Sequence, residues 1–192
     1  NALGDFPNAQ TLEELASIPP ADDIFINELI TSKPDKVELY NSGSSAVSLT
    51  SWTLRFSDSA DVQADYRIPE GVTIPPQGYL VFTDEGGVDP PASNEEGIPV
   101  GFNIPWHQSR GGAVALIDPA GTGKDFVAWR NAGDDPSSDT GRAPYATSFE
   151  GTIPGALSST IGHSLARDKD STDTDAAADW ERTLMHTLLE TS

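Results

Sequence analysis

Short apolar runs closed by glycine, proline or asparagine recur along the whole of this chain, and few stretches are long enough for a helix. Ile24-Phe25-Ile26-Asn27-Glu28-Leu29-Ile30 is rich in β-formers and is followed by the turn Lys33-Pro34-Asp35-Lys36. Val37-Glu38-Leu39-Tyr40 alternates as a half-buried strand does, and Asn41-Ser42-Gly43-Ser44-Ser45 turns the chain again. Ser51-Trp52-Thr53-Leu54-Arg55-Phe56 alternates next, placing Trp52, Leu54 and Phe56 on one core-facing side. Tyr66–Pro69 and Val72–Pro76 carry prolines that suit short edge strands. Gly78–Thr83, Gly112–Asp118, Lys124–Trp129, Ser164–Arg167 and Trp180–Thr183 complete a set of eight or nine short strands. Gly, Pro and acidic residues fill two long connections, 85–105 and 131–160. The 17 glycines and 15 prolines belong to these turns, so the pattern predicts an all-β, antiparallel sandwich in a single domain over 23–183.

The ends read differently. Thr11-Leu12-Glu13-Glu14-Leu15-Ala16 predicts one or two helical turns, with Thr11 as N-cap and Glu14 as its capping-box partner, stopped by Ile18-Pro19-Pro20. Residues 1–22 are therefore expected to be a linker with a short helix, and 184–192 a tail. The chain starts at Asn1, which suggests a processed or excised piece of a larger multidomain protein. No apolar run reaches the ~18 residues of a membrane span, so direct membrane insertion is not expected.

Thirty acidic residues face eleven lysines and arginines, for a net charge of −19. Such a surface repels nucleic acid and attracts basic partners or divalent cations. With no cysteine, disulfides and thiolate metal sites are excluded. The three histidines, His107, His163 and His186, have no zinc-ligand spacing. Gly162-His163-Ser164-Leu165-Ala166 lacks the following helix of a nucleophile elbow, and Gly121-Thr122-Gly123-Lys124 lacks the first glycine of a phosphate loop. No catalytic residues are assigned.

Asp168-Lys169-Asp170-Ser171-Thr172-Asp173-Thr174-Asp175-Ala176-Ala177-Ala178-Asp179 carries five carboxylates within twelve residues. Calcium takes six to eight oxygen ligands from a flexible loop, so Asp168, Asp170, Asp173, Asp175 and Asp179 are candidate ligands of a structural Ca2+. The EF-hand pattern fails, because Asp173 stands where its glycine is required. A solvated acidic turn is the competing reading. Glu28 and Glu38 lie on neighbouring strands; facing each other they need a cation, an arginine such as Arg55 or Arg167, or solvent to offset their repulsion. Phe102, Trp106 and His107 sit in a proline-flanked loop, and aromatics exposed there would stack on a sugar or anchor a protein; alternatively they tuck back and plug the end of the sandwich.

Ile26-Asn27-Glu28-Leu29, Val37-Glu38-Leu39-Tyr40-Asn41, Leu49-Thr50-Ser51-Trp52-Thr53-Leu54 and Ile68-Pro69-Glu70-Gly71-Val72-Thr73-Ile74-Pro75-Pro76-Gln77-Gly78-Tyr79-Leu80-Val81 stand in this order, followed by Gly162–Arg167 and Asp173–Trp180. Together they resemble the lamin-tail domain family in its bacterial form, with Ser51 in place of the family's usual glycine. The resemblance implies an immunoglobulin-like sandwich without catalytic activity, secreted or at the cell surface. It points to an interaction or adhesion module for a protein or glycan partner, calcium-stabilised if the acidic loop binds the ion. A carbohydrate-binding module using Trp106 is the first alternative, and a metal-dependent hydrolase or nuclease-associated domain the second.

Overall fold

The computed structural model describes residues 23–31, 34–58, 63–84, 97–106, 112–130, 152–154, 164–174 and 179–183. Among them every regular element is a strand: β1 (Ile24–Ile30), β2 (Lys36–Asn41), β3 (Val47–Ser48), β4 (Thr53–Asp58), β5 (Gln63–Arg67), β6 (Thr73–Ile74) and β7 (Tyr79–Thr83). These are followed by β8 (Ile98–Pro99), β9 (Gly112–Ile117), β10 (Gly123–Arg130), β11 (Thr152–Pro154), β12 (Ser164–Arg167) and β13 (Trp180–Thr183). The helix expected at 11–16 and the tail at 184–192 lie outside the described residues.

Two sheets face each other. One has the order β13-β12-β1-β2-β7-β8, the other β11-β10-β9-β4-β5, and β3 pairs with β6 as a small ribbon. Alternation explains the layering, because one face of each strand is apolar. Val37 and Leu39 of β2, Leu54 and Phe56 of β4, Val114 and Leu116 of β9, and Val127 and Trp129 of β10 meet in one core with Trp52 and Ile26. The grouping of Trp52, Leu54 and Phe56 expected from their spacing is thus observed. On the outer face of the five-stranded sheet Ala113, Ala115, Ile117, Phe126 and Ala128 form a second, smaller buried group.

The closing strands complete the first sheet: β12 lies between β1 and β13, with Glu28 opposite Ala166 and Leu29 opposite Leu165. Two features depart from a purely antiparallel pattern. β8 runs parallel to β7 inside the stretch expected to be loop at 85–105, and β11 runs parallel to β10 inside 131–160. Both edge strands have only two or three residues, too few for any periodicity to mark them. The turn at 118–123 is a hairpin connection, in which Asp118 Oδ1 accepts from the backbone N–H of Ala120 and Thr122 and Lys124 lies 3.5 Å from Asp118.

Candidate functional site

The two sheets are tied together at one end by charge. β1 carries a bulge between Ile26 and Glu28, and β10 carries one between Gly123 and Asp125. A bulge re-aims a side chain and leaves backbone groups outside the ladder. Here the Asp125 carboxylate of one sheet accepts a hydrogen bond from Ile26 N–H of the other at 2.6 Å, and its second oxygen accepts from Phe126 N–H at 2.6 Å. Arg167, the last residue of β12, donates from Nε to the Ile26 carbonyl at 2.8 Å. Both polar groups of Ile26 are thus claimed by a single ion pair, whose partners are 3.5 Å apart.

Arg167 extends the network into the acidic loop. Its Nη1 donates to the Thr172 carbonyl at 3.2 Å and lies 3.2 Å from Asp173 and 3.5 Å from Asp179. The guanidinium plane sits over Trp180, 4.7 Å from the ring centre, and 5.2 Å from that of Phe25. Its side chain is fully enclosed. Arginine suits the position, since its planar fork serves several acceptors at once and stacks on aromatic faces. Burial pushes the Asp125 carboxyl up to about 6; Arg167 pulls it back, and the nearby Asp173 charge adds to the rise.

The acidic loop divides its carboxylates among different partners. Asp168 turns back on its own backbone, accepting from the N–H groups of Asp170 and Thr172 and from the Thr172 hydroxyl. Those bonds hold its carboxyl below the ordinary carboxylate range. Asp170 points outward and pairs with Lys169 at 2.6 Å. Asp173 and Asp179 turn to Arg167, and Asp179 also caps Thr174, accepting from its N–H at 2.6 Å and its hydroxyl at 2.7 Å. Asp175 lies outside the described residues. Among the described residues no group of three or more histidine, cysteine, aspartate or glutamate side chains is arranged to hold a metal ion.

Glu28 and Glu38 are direct cross-strand partners, as their strands predicted, and both are buried. Asn27, the extra residue of the β1 bulge, donates from Nδ2 to Glu38 Oε1 at 2.9 Å. Arg55, one of the arginines considered for this pair, forms a bidentate bridge to Asp65 on β5 with both contacts at 2.7 Å. That bridge, a hydrogen bond before a charge effect, holds the Asp65 carboxyl below its usual range.

Of the two readings of Trp106, a ring offered to a ligand and a ring tucked back into the sandwich, the structure shows the second: only 7% of it is exposed. The indole stands edge-on to Trp129 with centroids 4.8 Å apart and to Phe56 at 5.6 Å, and its N–H donates to the Ala113 carbonyl at 3.1 Å. The proline-flanked loop folds inward because burying a large ring with its one donor satisfied outweighs leaving it in water. Phe102 is half-buried, edge-on to Phe56, and His107 lies outside the described residues.

Asp125 was missed by reasoning from sequence, since it occurs singly between Lys124 and Phe126. Arg167 did carry a signal: a cation ending a strand directly before an acid-rich run, in a chain poor in cations.

The sequence profile of the lamin tail domain matches residues 18–131. The chain belongs to the lamin tail domain family. Domains of this family have an immunoglobulin-like fold and generally serve as non-catalytic protein-interaction modules. In this lamin tail domain, strands β12 and β13, which carry Arg167 and Trp180, follow the matched stretch and still pair into its first sheet. No curated protein matches the sequence.

Proposed function

We propose that this lamin tail domain is a non-catalytic interaction module working at the cell surface or outside the cell, as part of a larger chain, with a protein as its partner. The observation that carries the reading is the enclosed Arg167 network. It joins β1, β10, β12, the acidic loop and Asp179, so the rim of the sandwich is fixed by internal charge pairs and two aromatic faces. A fixed rim loses little conformational freedom on binding, which is what a recognition surface requires.

In this reading the guanidinium does the work for which calcium is the sequence-based candidate. It neutralises Asp173 and Asp179 and ties the closing loop to the sheets, so the domain needs no ion for stability. Thermal melting of the full chain with and without millimolar calcium tests this directly. The expected shift is below about 1 °C; ligand held only by the native state at a hundred times its Kd would add about 2.7 kcal/mol and raise the midpoint by several degrees. Incubation with phosphodiester, peptide and glycoside substrates in the presence of Mg2+, Mn2+ or Ca2+ is expected to give no turnover. Turnover that vanishes in Asp173→Ala would overturn the non-catalytic reading. The location is checked by fractionating cells that make the full-length protein.

A further inference from the structure

The outer face of the five-stranded sheet carries a hollow of about 270 Å³ beside the β9–β10 turn. Its wall is a row of cross-strand partners, Arg67 of β5 opposite Thr53 of β4, and Thr53 opposite Ile117 of β9. Arg55 and Asp65 form the next row. We propose that this hollow binds a single carboxylate, presented beside an apolar side chain by a segment of a partner protein. The proposal rests on the interaction-module reading above and gives it a site.

Three observations converge on it. Arg67 is exposed and forms no ion pair or hydrogen bond among the described residues, in a chain where carboxylates outnumber cations by 30 to 11. In so acidic a chain, an arginine left without a carboxylate is the group positioned to receive one. Arg55, by contrast, is held in place by its two bonds to Asp65. Second, Ser51 lines the same hollow with φ of 67°, a backbone region that favours glycine. Serine meets a steric cost there that glycine would not, so the chain accepts strain at this position and places a hydroxyl-bearing side chain in a lining that also includes Thr53. Strained residues gather where a ligand is held. Third, Ile117 and Pro119 add apolar groups to the lining beside the polar ones.

The charge count sets the ligand class. Asp65 offsets Arg55, and Asp118 is paired with Lys124 at 3.5 Å, which leaves the Arg67 charge for the ligand. One guanidinium fork matches one carboxylate. A phosphate dianion or a nucleic-acid backbone would meet Asp65 and Asp118 with charge to spare and be repelled.

The test uses the full chain, Arg67→Gln and Ser51→Gly on an array of capped twelve-residue peptides that vary in acidic content and in the residue beside the acid. Wild type should select peptides with an Asp or Glu next to an apolar residue. Arg67→Gln, or replacing the peptide Glu by Gln, should weaken binding at least tenfold, about 1.4 kcal/mol. Ser51→Gly should melt higher and bind several-fold more weakly, which separates the site from foldedness. Wild-type binding that Arg67→Gln leaves untouched overturns this site while the module reading stands. A wild-type chain that binds no peptide overturns both. Competition by inorganic phosphate at concentrations where acetate does nothing overturns the ligand class.

Discussion

Arg167 is the residue on which the end of the sandwich depends. Its guanidinium meets Asp125, Asp173, Asp179, two backbone carbonyls and two aromatic faces in an enclosed space. Removing one member of a buried charge pair costs more than the pair contributes, because the remaining charge stays in a poor solvent. Arg167→Met, which keeps much of the apolar stem, is therefore expected to lose about 3–5 kcal/mol in urea unfolding at neutral pH. Arg167→Lys keeps the charge but concentrates it at one point, and should fall between the two. In the double variant Arg167→Met with Asp125→Leu the losses should be less than additive, since neither member of that pair is left buried without the other, while Asp173 and Asp179 still lose their cation. Additive losses would mean that the two residues act separately. In the sequence the residue shows as a cation ending a strand beside an acidic run and as one of the two arginines able to offset Glu28 and Glu38. Its partners Ile26 and Asp125 are 141 and 42 positions away, and nothing local marks so distant an encounter.

At the scale of elements, β9 and the loop before it show how tightly the core is built. Gly112 opens β9 where the Trp106 and Trp129 rings meet: a Cβ placed there would lie 2.5 Å from Trp129 and 3.0 Å from Trp106. Neither ring can yield easily, as Trp106 is anchored to Ala113 and Trp129 is 2% exposed. Gly112→Ala is expected to destabilise the domain by about 1–3 kcal/mol, the usual range for overpacking, and to alter the near-ultraviolet circular dichroism of the two indoles. Gly121→Ala, at φ of 87° but with open space around it, should leave that spectrum unchanged. These elements also show what a sequence makes legible. Strands with four or more alternating residues, such as Val37–Tyr40 and Trp52–Phe56, are marked by their period of two, which also places Leu54 and Phe56 in the core. The inward course of Phe102–Trp106 and the two parallel edge strands are decided by packing between distant segments. A loop rich in proline and glycine reads the same whether it folds in or out. The acidic run was equally legible as a cluster, but its sharing between Asp168's own backbone, Lys169 and Arg167 depends on where β12 ends relative to β1 and β10.

For the molecule as a whole, the inter-sheet ion pair gives stability a defined dependence on pH. Asp125 has its folded pKa raised to about 6 from 3.8. Between those values the native state holds a proton that the unfolded chain has released, so stability falls as pH rises. The stabilising effect of that proton is complete below 3.8 and lost as pH passes about 6. Asp65 and Asp168 have lowered values, so their contributions are present above the ordinary carboxylate range and disappear as pH falls below it. The two trends oppose each other and place the stability maximum on the acidic side of neutrality. The net charge of −19 also favours acid, because protonation relieves self-repulsion, but this contribution is spread over the surface and is screened by salt. Asp125→Asn separates the two. It keeps the general charge effect and abolishes the buried titration, so its urea-unfolding free energy should change much less than that of wild type between pH 7 and 5, in high salt as in low. Parallel profiles for the two proteins would show that Asp125 does not take up its proton on folding, and that surface charge alone sets the acid preference.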